Sequence, residues 1–308
     1  MVQKIIIICG PTCTGKTAVG VELAKKFHGE IVSADSQQVW RGFDVGTAKP
    51  ARDERAAVPH HLIDIANPSE RFDAAQFVSL ADSAIADIVS RGRVPFVVGG
   101  TGMYIRMLLH GVCDAPPRDD DVRVELEAEI AERGLPALHA RLAEVDPKTA
   151  QAISPNDRTR IVRALEIYAL TGEAPSELRS AHGFLERRYA ALKIGINMPR
   201  ETLYERINHR CERMIAEGLV VEVKLLLGKH GPGVQPFSAV GYKEILSHVG
   251  GSLDLAETVE LMKQSTRRFA KRQLTWFRAD PEIRWHAPDD IKAITTDILN
   301  FLQSLPSS

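Results

Sequence analysis

Residues 4–17 read KIIIICGPTCTGKT, and this stretch decides the fold. Lys4 to Cys9 is a continuous β-branched run without polar alternation, the pattern of a strand buried on both faces of a parallel sheet. Gly10 to Thr17 then matches the phosphate-loop pattern GxxxxGK[ST]. Lys16 to Phe27 follows with helical spacing, placing Val19, Leu23, Ala24 and Phe27 inward. A glycine-rich loop between a buried strand and a helix is the context that gives this pattern its meaning. The loop of Gly10, Pro11, Thr12, Cys13, Thr14, Gly15, Lys16 and Thr17 offers backbone N–H groups to phosphate oxygens, and the helix start adds a positive dipole end. Lys16 supplies a point charge, and Thr17 a hydroxyl suited to Mg2+. Such a loop marks diphosphate or triphosphate binding, ATP included; it does not mark hydrolysis.

Outward from the loop, short apolar runs alternate with helical stretches. Glu30–Ala34, His61–Ile65 and Val94–Val98 read as further strands. Phe72 to Arg91 is amphipathic, with Phe77, Leu80, Ala81, Ala84, Ile85 and Ile88 on one stripe. This rhythm predicts an α/β fold, a P-loop-type core with a parallel β-sheet flanked by helices. From residue 116 to 188 the chain turns charged and helix-favouring and shows no convincing strand, which predicts an inserted all-helical domain. There Ser154 is a candidate cap, Pro155 fits a first turn, Asp157 suits the positive helix end, and Ile161, Leu165 and Tyr168 share a face. Ala190–Ile196 is strand-like again, and helices are expected over Arg200–Glu217, Val220–Leu227 and Leu255–Arg278. The core therefore comprises 1–115 and 189–308.

Further features carry chemistry. The strand Val94–Val98 runs into Gly99-Gly100-Thr101-Gly102, where a nucleotide hydrolase would place an Asp for its metal. The nearest candidate carboxylate is Asp35, just after the second strand; parallel strands end around the ligand crevice, and Asp35 is either a base there or the acceptor of a local turn. Lys263 to Arg278 forms a cationic helix. Lys263, Arg267, Arg268, Lys271 and Arg272 fall within one half, with Met262, Phe269 and Trp276 opposite as the expected core face. A solvated face is the usual cause of such a pattern. Few acidic residues accompany these cations, which favours phosphate contact. Arg158, Arg160 and Arg163 form a second basic set, and Arg206 and Arg210, one turn apart, are candidate phosphate ligands.

Composition narrows the classes. The 308 residues carry a net charge of -1, so any nucleic-acid site must be a local patch. Cys9, Cys13, Cys113 and Cys211 form no CxxC pair and read as free thiols of a reducing compartment. His60 and His61 lack metal-like partners in sequence and read as structural. No run approaches a membrane span, so no membrane association and a cytoplasmic location are expected. No apolar dimerisation stripe is evident, and a monomer is expected.

The segments GPTCTGKT, DSQQVWRGFDVGTAKP, PHHLIDI, VPFVVGGTGMY, NDRTRIVRALEIYALTG, NMPRETLYERINHR, AVGYKEI and TRRFAKRQLTWFR resemble, in order, the bacterial tRNA dimethylallyltransferase family. DSQQ and KRQLTWFR are the most specific. Trp40 stands where the family more often has Tyr, and Cys13-Thr14 where Ala-Ser is common.

The resemblance implies that the loop holds the diphosphate of dimethylallyl diphosphate with Mg2+. The helical insertion would grip the tRNA anticodon stem-loop. It implies Asp35 as the base toward the exocyclic amine of a flipped adenine, and Lys16, Thr17 and Arg210 as stabilisers of leaving diphosphate. Thr101 would contact the flipped nucleotide. Further tRNA contacts are implied for Ser36, Gln37 and Gln38 beside Asp35, and for Arg123. In the insertion they fall on Thr159, Arg160, Ile161, Val162 and Arg163. A third set is Ser238, Ala239, Val240, Gly241, Tyr242 and Lys243. The last is Lys271, Arg272, Gln273, Leu274, Thr275, Trp276, Phe277 and Arg278. A small-molecule P-loop kinase shares the first strand, loop and helix but leaves KRQLTWFR unexplained. An adenylate prenyltransferase would run the same chemistry on a free nucleotide, and a nucleotide-gated RNA-binding protein would use the loop without catalysis.

Overall fold

A computed structural model of the chain describes residues 2–304; the ends of the expected core, residue 1 and residues 305–308, lie outside them. In chain order the first elements are β1 (Lys4–Cys9), α1 (Lys16–Lys26), β2 (Gly29–Ser33), α2 (Arg52–Ala57), β3 (His60–His61), α3 (Ala74–Ser90), β4 (Val94–Gly99) and α4 (Gly102–His110). Five helices follow: α5 (Asp120–Arg133), α6 (Leu135–Val145), α7 (Pro147–Ala152), α8 (Arg158–Thr171) and α9 (Pro175–His182). The chain then forms β5 (Ala190–Ile196), α10 (Arg200–Ala216), α11 (Leu219–His230), α12 (Tyr242–Val249), α13 (Leu255–Arg278), β6 (Arg284–His286) and α14 (Ile291–Gln303).

The six strands form one parallel sheet in the order β3-β2-β4-β1-β5-β6. Ile5 to Ile8 are fully buried, as a central strand covered on both faces requires. On one face Ile6, Ile8, Phe96, Ile194 and Ile196 meet Val19, Leu23, Ile294 and Ile298 in a single core. Because the strands are parallel, their carboxyl ends share one edge of the sheet. The turns after β1, β2 and β4 therefore gather there, whatever their distance in sequence.

The chain divides into two compact units, one of which is His110–Glu186. That unit is helical and has its own core of Leu126, Leu138, Leu142, Ile161 and Leu165. Fully buried Glu166 organises it, accepting hydrogen bonds from the Asp119 N–H, Arg123 and Arg163. Burial pushes this carboxyl up, but those donors outweigh it and hold it at about 2.

Several local expectations need correction. The third strand covers only His60–His61, because Leu62 and Asp64 adopt positive φ and end the extended run. Helix α8 begins at Arg158 under Asp157, whose side chain accepts the Arg160 N–H, so Ser154 is not its cap. Leu80 on α3 is 42% exposed. On α13 the buried face is Thr258, Met262, Ala270, Gln273 and Phe277, while Phe269 and Trp276 are exposed.

Candidate active site

The turn after β1 is shaped by what glycine permits. A Cβ on Gly10 would lie 2.4 Å from the Ile196 carbonyl oxygen, so β5 approaches the loop only because that carbon is missing. Thr14 is buried, and its hydroxyl donates to the Pro11 carbonyl at 2.9 Å; Lys16 Nζ donates to the same oxygen at 3.2 Å. Burial pushes the Lys16 ammonium down and Asp35 opposes that shift. The loop also receives α10. Arg210 Nη1 donates to Thr12 Oγ1 at 3.1 Å, and Arg206 Nη1 lies 3.8 Å from where a Gly15 Cβ would be.

The turns after β2 and β4 are knitted together. Thr101 N–H donates to the Ala34 carbonyl at 3.1 Å, and Thr101 Oγ1 accepts the Ser36 N–H at 3.0 Å. A Cβ on Gly99 would lie 2.1 Å from the Ala34 carbonyl oxygen, so this close approach excludes any side chain there. Asp35 Oδ1 accepts the Gln37 N–H at 2.9 Å. The turn reading and the base reading of Asp35 are compatible: one oxygen fixes the carboxylate, and the residue still faces the cavity.

That cavity, of about 330 Å3, is large enough for a small ligand. Thr12, Lys16 and Arg210 line it together with Asp35, Ser36, Gln37 and Thr101. Ser238, Ala239, Val240, Gly241, Tyr242, Lys243, Arg272 and Gln273 complete the lining that the sequence named. A cluster of cationic and donor groups thus shares one space with a fixed carboxylate and hydroxyl, which suits transfer from a phosphorylated donor to a protic acceptor. Thr17, the second residue of α1, is half-buried and outside the lining.

Other named residues lie elsewhere. The Gln38 amide faces inward, accepting from Ser33 Oγ at 3.2 Å and donating to the Ala48 carbonyl at 3.4 Å. Ile161 and Val162 are 0% and 3% exposed, and Phe277 is buried, so these side chains pack in cores and offer no surface to RNA. Arg123 and Arg163 are held by Glu166, while Thr159 and Arg160 are exposed. On α13, Lys263 is paired with Glu212 and Glu260, against the expectation of unpaired cations. Among the described residues no carboxylate pairs with exposed Arg268, Lys271 or Arg272; Arg272 lies over the Phe269 ring at 5.8 Å. Thr275, Trp276 and Arg278 are exposed and Leu274 half-buried.

The sequence reading missed Gly46, Thr47, Cys211, Met214, Met262, Thr266 and Phe269, which also line the cavity. A signal existed for four of them. Met214 lies one turn after Arg210 on its helix, and Met262, Thr266 and Phe269 continue the Gln273 stripe at helical spacing. Gly46 is positioned by Glu222, which accepts the N–H groups of Asp44, Val45 and Gly46 and the Tyr242 hydroxyl. Nothing local in the sequence marks that long-range contact.

The chain matches known proteins over nearly its whole length. The family model described as IPP transferase matches residues 38–280, and that of isopentenyl transferase matches residues 3–64. The chain is 52% identical over 286 residues to the tRNA dimethylallyltransferase of Anaeromyxobacter dehalogenans, covering 93% of this chain and 95% of that protein. It is 49% identical to that of Geobacter metallireducens, covering 97% of each. Among solved structures, the tRNA isopentenylpyrophosphate transferase of Bacillus halodurans is 43% identical with a TM-score of 0.73, covering 98% of this chain and 97% of that one. A eukaryotic dimethylallyltransferase solved acting on tRNA is 28% identical with a TM-score of 0.81, covering 99% and 81%.

Proposed function

The chain belongs to the tRNA dimethylallyltransferase family, and from that premise we propose how its own residues carry the reaction. The enzyme moves the dimethylallyl group of dimethylallyl diphosphate onto the exocyclic N6 amine of the adenine 3′-adjacent to the anticodon. The observation that supports this assignment of roles is the shared cavity, with Lys16, Thr12 and Arg210 at the loop and Asp35 and Thr101 on neighbouring strand-end turns.

The amine nitrogen attacks the first carbon of the prenyl group as the carbon–oxygen bond to diphosphate breaks. Asp35 takes the proton that the amine loses, and diphosphate leaves carrying the electron pair. An adenine amine is a weak nucleophile because its lone pair is delocalised into the ring. Positioning and stabilisation of the departing charge therefore dominate. Lys16, Arg210 and the loop N–H groups serve the leaving diphosphate, and Thr101 holds the flipped nucleotide. Unstacking the base costs a few kcal/mol, less in a loop than in a duplex, and contacts from the cationic face of α13 offset it.

Mg2+ would accompany the diphosphate: such an ion keeps several waters and takes phosphate oxygens with one or two protein ligands. Thr17 would hold it, and it would neutralise charge on the diphosphate. The protein is expected to act as a monomer in the cytoplasm; no helix of the described residues is long and apolar enough to cross a membrane.

A paired assay tests the reading. Diphosphate release from dimethylallyl diphosphate is expected only with tRNA present, ATP hydrolysis no faster than background, and Lys16→Ala should abolish the first activity. Robust tRNA-independent ATP turnover without diphosphate release would restore a kinase or ATPase reading.

A further inference from the structure

Gln273 lies on α13 with only 9% of its surface exposed, although Lys271 and Arg272 beside it are exposed. Its Oε1 accepts the Thr12 N–H at 2.9 Å, and its Nε2 donates to the Gly100 carbonyl at 2.8 Å. The partners belong to different turns. Thr12 is in the phosphate loop after β1; Gly100 is in the turn after β4 that carries Thr101. One planar amide therefore sets the spacing of the two. The fit leaves no slack, since a Cβ on Gly100 would lie 2.4 Å from Nε2.

This place requires an amide. Thr12 N–H needs an acceptor and the Gly100 carbonyl needs a donor, and a carboxamide carries both in one plane. A carboxylate would serve Thr12 but set an oxygen against an oxygen at Gly100. A thioether of similar length would serve neither. Thr12 in turn accepts from Arg210, so a displaced Thr12 also releases that guanidinium from its seat.

We infer that Gln273 is a positioning residue for the donor site, holding the phosphate loop in register with the Thr101 turn rather than contacting tRNA. The inference rests on the reading of the loop as a diphosphate site. Its test uses the 308-residue chain and the variants Gln273→Met and Gln273→Glu. Inorganic diphosphate with Mg2+ is titrated by calorimetry without RNA, and unmodified tRNA is titrated separately by filter binding. Gln273→Glu, which loses the Gly100 bond, is expected to bind diphosphate about tenfold more weakly, the scale of one lost buried hydrogen bond, and Gln273→Met, which loses both, at least as weakly. The KM for dimethylallyl diphosphate should rise in step, with tRNA affinity within about twofold of wild type. Unchanged diphosphate affinity overturns the inference, and so does a fall in tRNA affinity alone, which would make Gln273 a direct RNA contact. Should both variants fold poorly, amide hydrogen exchange of the wild-type protein decides. Slow exchange at Thr12 is expected, and exchange at the rate of an unbonded amide contradicts the strap. Wild-type protein that binds no diphosphate would refute the loop reading itself, before any variant is compared.

Discussion

Asp35 uses one carboxylate oxygen to accept the Gln37 N–H, and this fixes the side chain without consuming it. An Asn can make the same turn but cannot take a proton. Asp35→Asn is therefore expected to keep the local fold and tRNA affinity while slowing single-turnover transfer by about 10²–10⁴, the usual worth of a general base. Rates near wild type would remove Asp35 from the proton path. At this scale the sequence was informative where chemistry is concentrated. Asp35 and Thr101 are polar residues just past strand ends and Lys16 closes the glycine loop after the first strand, and strand ends are readable from apolar runs. It was uninformative where a polar side chain is spent inside. Gln38 looks as available as Gln37 in DSQQ, yet its amide is satisfied by Ser33 and Ala48. Only the packed structure separates the two.

The helix α13 shows the same limit for an element. Its boundaries, Leu255–Arg278, were readable from a long periodic stretch. Its cationic half was readable too. Of the apolar residues expected to face the core only Met262 does, because Trp276 rests on Gly102 at the surface, where a Cβ would meet its ring at 2.2 Å, and Phe269 turns to the cavity. On the cationic half of this helix, Arg268, Lys271 and Arg272 are exposed without carboxylate partners among the described residues, whereas Lys263 and Arg267 are engaged by Glu212 and Asn208. Charge reversal at those three is expected to weaken tRNA binding and flatten its salt dependence. Each lost phosphate contact should reduce the log–log slope by about 0.7–0.9. An unchanged slope would make this face merely solvated, and reversal at Lys263 serves as the contrasting control.

Over the whole molecule, each compact unit contains a buried carboxylate tied to arginines. Hydrogen bonds from Arg91, against the upward push of burial and aided by His61, hold Glu30 at about 2 in the sheet-bearing unit; Glu166 is held at about 2 in the helical unit. Both carboxyls lie below their ordinary value of 4.5, so the stability they contribute is complete above about pH 4.5 and lost as pH falls toward 2. Urea melts are expected to show a falling midpoint through that window, and Glu30→Gln should flatten the fall; a midpoint independent of pH would contradict both assignments. The parallel sheet was legible because buried strands have a simple apolar signature. Its strand order was not, since β5 joins β1 only after a helical excursion that leaves no local trace of where the chain returns.

The central claim is that the shared cavity prenylates an adenine in tRNA, and nucleoside mass analysis tests it most directly. Unmodified tRNA is incubated with the protein, dimethylallyl diphosphate and Mg2+, then digested. The account predicts one dimethylallyl group replacing one hydrogen on the N6 amine of the adenine 3′-adjacent to the anticodon, absent when Lys16→Ala protein is used. Unmodified adenine there, with an active wild-type preparation of a family relative run in parallel, would contradict it.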